Sequence, residues 1–222
     1  MAQPWYSFSL EKTFDKLESS NRGLLPEVVK EHLKQYGANS FPEEKPPSIF
    51  RLFLNQFQSP LIYILLVAGV VIFAMGETMD SYIILAVLVF NAIIGVIQEG
   101  RAQNTLLALK KFVETNATVL RDGKEYIIPD KEVVPGDLLI LQEGERIPAD
   151  ARIITSQSIK IDEASLTGES EPVYKNAEVL EGEDLPTAEQ KNMVFRGTNI
   201  VAGNGMAVVV ATGLSTVIGG IA

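Results

Sequence analysis

One short segment of this sequence combines residue types that could carry out acid–base chemistry. Thr167, Gly168, Glu169 and Ser170 stand together in the polar run from Ile161 to Val173. A glutamate with a reference pKa of about 4.3 is ionised at neutral pH, so its carboxylate can accept a proton from water. Taken alone, the four residues indicate only a polar turn, because short tetrapeptides recur by chance. The elements around them decide between these two interpretations.

The segment lies in a region that predicts β-structure, from about residue 115 to residue 222. Apolar runs at 117–120 and 125–128 flank Asp122 and Gly123, and Asp-Gly between such runs is a strong hairpin signal. Further short strands are expected at 138–141, 151–155, 159–162, 193–196 and 205–211. Short strands separated by Gly, Pro and Asp turns favour a compact barrel or jelly-roll-like domain.

Two loops are expected within this β-rich region. Gly203, Asn204 and Gly205 together predict a tight turn. The acidic stretch 178–189 is typical of an exposed loop.

Two apolar stretches upstream, Pro60–Met75 and Ser81–Gln98, contain no charged residue. Crossing about 30 Å of hydrocarbon takes about 20 apolar residues, so we expect transmembrane spans at about 57–75 and 81–99. The short polar turn between them makes the two helices antiparallel. The alternative is a buried helical hairpin of a soluble protein, but two uncharged runs of nearly spanning length are rare there.

Basic residues predict the orientation of this hairpin. The turn at 76–80 has no Lys or Arg, whereas such residues stand outside the spans: Lys45, Arg51, Arg101, Lys110 and Lys111. The positive-inside rule then places both termini in the cytoplasm. We expect a multi-pass integral membrane protein of the plasma membrane, with the lipid bilayer as a partner. The second helix is expected to continue past Gln98 as a cytoplasmic stalk.

Polar residues near the spans allow two interpretations. Three amides could line an ion path: Asn55, Gln56 and Asn91. Amides in such places more often make hydrogen bonds between helices. Pro60 is expected to begin or kink the first span. The residues before it, 49–57, alternate apolar and polar types as in a helix that lies along a membrane surface.

The first 48 residues predict a helical cytoplasmic segment. Leu10, Phe14 and Leu17 share one helical face, and a second helix is expected to begin at Pro26 and end at Gly37. The lone histidine of the chain lies in that second helix; a metal site needs several ligands, which favours surface exposure or local packing for it.

Composition excludes several classes of function. The net charge of −9, without clusters of Lys or Arg, argues against nucleic acid as a partner. The chain has no cysteine, so disulfides, cysteine zinc sites and thiol catalysis are excluded. We therefore expect an α+β membrane protein of three parts: a helical segment at 1–48, a hairpin with stalk at 49–114 and a β-domain at 115–222.

At the level of whole motifs the chain resembles a known family. The run D-E-A-S-L-T-G-E-S-E-P-V, which begins at Asp162 and is followed by Lys175, is similar to the actuator-domain signature of P-type cation-transporting ATPases. The run V-V-P-G-D-L-L-I-L before it and V-F-R-G-T-N-I-V-A-G after it resemble strands of the same domain. Asn91–Glu99 resembles the second membrane helix of the family, and Gly23–Leu25 together with Tyr36–Asn39 resembles its N-terminal segment.

The resemblance implies a distorted jelly-roll-like barrel and a catalytic role for the Thr167–Ser170 loop. In such pumps ATP phosphorylates an aspartate in another domain, and the actuator then brings this loop to the acyl phosphate. Glu169 would orient the attacking water and take its proton. Gly168 would let the backbone approach the phosphate closely, and Thr167 and Ser170 would brace the loop by hydrogen bonds.

The resemblance also indicates what the sequence lacks. Neither the D-K-T-G-T string of the phosphorylated aspartate nor a G-x-x-x-x-G-K loop occurs in the 222 residues. No cofactor or metal is expected in this chain, because ATP and Mg²⁺ would belong to the complete pump. The expected partners are its phosphorylation and nucleotide-binding domains and its remaining membrane helices. Alone, the chain should neither hydrolyse ATP nor pump ions, which suggests a fragment or a partial gene product.

The transported cation is a more open question. The N-terminal segment and the stalk Gln98–Asn104 resemble the calcium-pump branch, so Ca²⁺ is favoured. Some calcium pumps have a glutamate that gates ion entry near the first span, whereas this chain has Asn55 and Gln58 there. Sodium, potassium, protons and manganese are therefore alternatives. Other functions are also open: a free-standing membrane-anchored β-domain that binds or regulates, or an inactive remnant.

Overall fold

The structure is a computed structural model that describes residues 3–41, 48–112, 115–169, 171–182 and 184–221. Contacts divide the chain into two compact units, one formed by Met1–Pro42 with Glu114–Ala222 and the other by Glu43–Val113. The larger unit joins two stretches that are far apart in the sequence. The functional divisions expected at 1–48, 49–114 and 115–222 stay predictions.

The described residues of the smaller unit, 48–112, form three helices. Helix α3 spans Ile49–Gln56, α4 spans Pro60–Ala74 and α5 spans Thr78–Phe112. The first residue of α4 is Pro60, which confirms the expected start, because proline needs no amide donor in a first helical turn. Helix α5 runs without a break to Phe112, as the pattern of a stalk predicted. The hydroxyl of Ser81 donates a hydrogen bond of 3.0 Å to the carbonyl of Gly69, which joins α5 to α4.

Only one helix among the described residues, over Thr78–Leu106, is both long and apolar enough to cross a membrane. The 15 residues of α4 reach about 22 Å, which is short of the roughly 30 Å of a hydrocarbon core. The expected first span at 57–75 is thus a turn at 57–59 followed by α4. A hairpin in which both helices cross the bilayer stays a prediction.

A glutamine near these helices has a packing role. The side-chain amide of Gln56 lies so close to Gly95 of α5 that a Cβ at Gly95 would require this amide to shift. The hydrogen bonds between helices that the sequence favoured over an ion path for Asn55, Gln56 and Asn91 stay a prediction.

The N-terminal segment of the larger unit contains a short 3-10 turn, Trp5–Ser7, and two helices, α1 over Leu10–Lys16 and α2 over Pro26–Tyr36. Gly37, with φ of 75°, ends α2 and donates its N–H to the carbonyl of Leu33. Both ends of α2 confirm the prediction.

Seven antiparallel strands form the sheet of the larger unit. Their bounds are β1 Asn116–Arg121, β2 Lys124–Pro129, β3 Leu138–Leu141, β4 Asp150–Asp162, β5 Val173–Tyr174, β6 Met193–Val194 and β7 Asn199–Ala211. The order is β2-β1-β3-β7-β4-β5, and β6 pairs with β4. Strands β1 and β2 confirm the predicted Asp-Gly hairpin. The jelly-roll-like barrel stays a prediction.

The two long strands differ from the sequence prediction. The strands expected at 151–155 and 159–162 are one strand, β4, and the turn expected at Gly203–Gly205 lies inside β7, where Asn204 pairs with Gln157. The pairing of β4 with β7 shifts register between Gln157 and Lys160. Glycine and asparagine here form a bulge within continuous strands. The same residue types are also typical of a turn.

Both faces of the sheet are buried. Because side chains alternate along a strand, Leu139 and Val209 point into one core while Leu138 and Val208 point into another. The second core also contains Tyr6 and Leu17, and Trp5 and Phe14 of the N-terminal segment pack against it. The N-terminal segment therefore supplies the cover for the second face.

Two polar side chains fasten the N-terminal segment to the sheet. The ring nitrogen Nδ1 of His32 lies 2.7 Å from the carbonyl oxygen of Pro135, which confirms local packing for this histidine. The amide of Asn39 is buried, donates to the carbonyls of Asp130 and Pro148, and accepts from the backbone N–H of Gly213. Buried polar groups so fully bonded fix one position of the segment.

The 178–189 segment differs in part from the exposed loop expected of it. The backbone N–H of Leu180 donates to the carbonyl of Tyr6, and that of Leu185 donates to the hydroxyl of Tyr6. Leu180 and Leu185 are partly buried against the second core.

The bulge gives a prediction for two glycines with positive φ. Gly203 has φ of 79° and no room for a Cβ beside the carbonyl of Gln157, whereas Gly144 has φ of 86° and nothing within 4 Å of that position. Gly144→Ala should cost about 1 kcal/mol from backbone strain alone, and Gly203→Ala about 3 kcal/mol because steric overlap adds to the strain. Urea unfolding of the 222-residue chain in detergent measures both. Equal losses in the free energy of unfolding for the two variants would contradict the close backbone approach at the Gly203 bulge.

Candidate functional site

The Thr167–Ser170 loop belongs to the connection of a β-hairpin. Strand β4 ends at Asp162 and β5 begins at Val173, and the two strands pair through Ile161 with Val173 and Lys160 with Tyr174. The connection is thus held at both ends by the sheet.

A single helical turn, α6, opens the connection and spans Ala164–Thr167. A carboxylate oxygen of Asp162 accepts the backbone N–H of Ala164 at 3.0 Å, which satisfies a free donor at the start of this turn. Gly168 ends the turn in the left-handed region, with φ of 78°. Nothing lies within 4 Å of the place that a Cβ on Gly168 would take, so another surface can approach the backbone there.

The hydroxyl of Thr167 joins the turn to the next residues. It donates to the carbonyl oxygen of Glu163 at 3.1 Å and accepts the backbone N–H of Glu169 at 3.3 Å. Thr167 thus braces the loop through backbone atoms, while Ser170 lies outside the described residues. Both Gly168 and Glu169 are exposed to solvent.

Beneath the loop lies a buried ion pair that the sequence analysis did not predict. The ammonium Nζ of Lys175 is 2.6 Å from Oε1 of Glu163, and the two residues are 4% and 1% exposed. Nζ also donates to the carbonyl of Gln190 at 3.3 Å. The only signal in the sequence was the opposite charge of two residues at either end of the motif, and such charges are usually exposed to solvent.

Burial and pairing act in opposite directions on these two groups. Burial raises the pKa of the Glu163 carboxyl, and the neighbouring ammonium of Lys175 opposes that rise. Burial likewise lowers the pKa of Lys175, and the carboxylate of Glu163 opposes that fall. Removing either partner would leave a buried group without its compensating charge.

The described part of the chain contains no group of three or more His, Asp or Glu residues that could hold a metal ion. The arrangement at the loop is instead an exposed carboxylate beside an open glycine. It can accept a proton from water or a hydroxyl group on a partner that approaches from solvent.

Comparison with known families agrees with this geometry. A profile of the P-type ATPase actuator domain matches residues 111–222, and a profile of the N-terminus of cation transporters and ATPases matches residues 5–72. The first match covers half of the chain, so the chain belongs to the P-type ATPase family. The resemblance stated from the motifs is confirmed.

Curated relatives point the same way. The chain is 40% identical to calcium-transporting ATPase 1 of Bacillus cereus, over 98% of the chain and 25% of that protein. It is 40% identical to a calcium-transporting ATPase of Listeria monocytogenes, over 98% of the chain and 24% of that protein. It is 41% identical to the probable cation-transporting ATPase F of Mycobacterium tuberculosis, over 89% of the chain and 22% of that protein. The chain therefore spans about a quarter of the length of these relatives.

The double role of the Thr167 hydroxyl can be tested directly. Thr167→Val removes the hydroxyl and Thr167→Ser keeps it, so only the valine variant should free the backbone N–H of Glu169. Hydrogen–deuterium exchange of the 222-residue chain should show faster exchange at that amide in the valine variant. The free energy of unfolding should fall by about 1 kcal/mol. Similar exchange rates in the two variants would show that the hydroxyl does not order the loop.

Proposed function

We propose that this chain is the N-terminal portion of an ATP-driven cation pump. In this proposal its actuator domain promotes hydrolysis of an aspartyl phosphate held by another domain of the same pump. The observation that carries the proposal is the position of Glu169, exposed at the end of a braced loop within the region that matches the actuator family.

The proposed chemistry uses Glu169 as a general base. The carboxylate accepts a hydrogen bond from a water molecule placed in line with the phosphorus atom. As the water oxygen bonds to phosphorus, the bond between phosphorus and the aspartate oxygen breaks, and the water proton passes to Glu169. Gly168 leaves the backbone open to the phosphate, and Thr167 holds the loop in shape. We propose the same bracing role for Ser170.

Other domains of the proposed pump supply the groups for phosphorylation. ATP and Mg²⁺ belong to the proposed phosphorylation and nucleotide-binding domains. Among the described residues, no cluster of ligands fits Mg²⁺, so none is assigned to it. The exposed negative charge of Glu169 repels a phosphate, so docking of the domains must offset that repulsion before the carboxylate reaches the phosphate.

The proposed connection to transport runs through α5. This helix of 35 residues is long enough to cross the bilayer and to extend beyond it. We propose that α4 and α5 form a transmembrane hairpin in the plasma membrane with both chain termini in the cytoplasm. The actuator unit would then move the membrane helices through α5. The proposed cargo is a cation, with Ca²⁺ favoured because several relatives are calcium-transporting ATPases.

The role of Glu169 is tested in the complete pump that contains this chain. Glu169→Gln should still form the phosphoenzyme from ATP, but the phosphoenzyme should decay at least about 100-fold more slowly, as expected for loss of a general base. Glu171→Gln is the matched control, because Glu171 is also an exposed glutamate in the same connection. Quench-flow with radiolabelled ATP measures both steps. Normal decay in Glu169→Gln, or equal slowing in Glu171→Gln, would contradict the proposal.

The identity of the cation is tested by phosphoenzyme formation in the same pump. If Ca²⁺ is the cargo, micromolar Ca²⁺ should switch on phosphorylation by ATP, and a calcium chelator should abolish it. Parallel reactions without Ca²⁺ test the alternatives by varying the concentration of sodium, potassium or manganese ions, or the pH. If phosphorylation does not depend on Ca²⁺ but depends on the concentration of one of these other ions, the assignment of calcium is overturned.

A further inference from the structure

The ion pair of Glu163 and Lys175 lies at the base of the catalytic loop and has no assigned role. Glu163 directly precedes α6 and Lys175 directly follows β5, so the contact between their side chains closes the connection into a ring. Each side chain is almost completely buried. Oε2 of Glu163 is buried and has no hydrogen-bond partner among the described residues.

A chain of contacts leads from this pair to Glu169. The carbonyl oxygen of Glu163 accepts the backbone N–H groups of Leu166 and Thr167 and the hydroxyl of Thr167. That hydroxyl accepts the backbone N–H of Glu169. The backbone of Glu163 is therefore joined to the backbone at Glu169 through α6 and the Thr167 hydroxyl, while Leu166 of α6 also packs against the second core.

Lys175 gives the pair a fixed anchor in the sheet. Its backbone N–H donates to the carbonyl of Ile159 at 3.0 Å, and its carbonyl accepts the hydroxyl of Ser156 at 2.7 Å. Its ammonium reaches the carbonyl of Gln190 as well as Glu163. Lys175 thus ties the loop to β4 and to the segment before β6.

Stability alone is a weak explanation for such a pair. Removing two charges from water is energetically costly, and a well-packed apolar replacement is often neutral or stabilising. The same interaction is directional and fixes two backbone segments relative to each other. Its energetic cost fits a role in geometry better than a role in stability.

We propose that Glu163 and Lys175 are positioning residues for dephosphorylation, whose ion pair holds the loop so that Glu169 meets the phosphate in one orientation. This inference rests on the proposed function, because that proposal assigns the role of general base to Glu169. It also makes a claim about loop order that holds in the isolated chain. The two claims are therefore tested separately.

The first experiment measures loop order. The chain has no cysteine, so Ser165→Cys places a single nitroxide label on the exposed side of α6. In the 222-residue chain, Glu163→Gln with Lys175→Met should make the label more mobile. The control is Arg121→Met with Asp137→Asn, which removes another ion pair of 2.7 Å that does not touch the loop. The control should leave label mobility unchanged. If the label in Glu163→Gln with Lys175→Met is no more mobile than in the chain that keeps the ion pair, the inference is overturned.

Glu163→Asp covers the case in which the double variant does not fold. It keeps the charge but shortens the side chain by one methylene, so the carboxylate must move relative to Lys175. The label should then be intermediate in mobility. Wild-type mobility in this variant would also overturn the inference.

The second experiment measures phosphoenzyme decay in the complete pump. Loss of the Glu163–Lys175 pair should slow decay by about 10- to 100-fold, the effect expected of a misplaced catalytic group, and should leave phosphoenzyme formation unchanged. The slowing should vanish when Glu169→Gln is already present, because the pair acts through Glu169. Equal slowing in both backgrounds would overturn the inference. If Glu169→Gln itself decays normally, the proposed function fails, and the label still decides whether the pair orders the loop.

Discussion

The pairing of β4 with its neighbours is the constraint on which this structure depends. This 13-residue strand is bonded to β7 over most of its length, to β6 near its start and to β5 at its end. Because β4 lies between β7 and β5, its final residues cannot shift without breaking ladder bonds on both sides. The connection that contains the Thr167–Ser170 loop begins where this strand ends, so the sheet fixes the start of that connection.

Under the proposed function, this rigid base would let an exposed loop act on a phosphate held by another domain. Glu169 itself is in solvent, yet the turn that carries it is tied through Thr167 and Glu163 to the buried ammonium of Lys175. A backbone held in this way loses little conformational entropy when the loop docks. The N-terminal segment contributes to the same rigidity, because it covers the second face of the sheet and is fixed there by Asn39.

The sequence predicted features with local signals and missed those that depend on distant partners. The Asp-Gly hairpin, Pro60 at the start of α4 and the family motif are all readable from neighbouring residues. The bulge at Gly203 was predicted as a turn, because its residue types are the same and only the pairing with β4 distinguishes the two. The contact between Glu163 and Lys175 was missed, since nothing local indicates that two charged side chains are buried together. For the site, the family motif predicted the bracing role of Thr167, but the buried ion pair beside the loop depends on contacts that the sequence does not indicate.

The most direct test of the central claim is a structure of the complete pump with a phosphate analogue bound to its phosphorylated aspartate. If Glu169 is the base, its carboxylate should lie about 3 Å from a water molecule in line with the analogue, and Gly168 should face the analogue. The loop should keep the contacts of Thr167 and Lys175 seen here. A carboxylate still in solvent, about 10 Å or more from the analogue and therefore outside hydrogen-bond reach, would contradict the account.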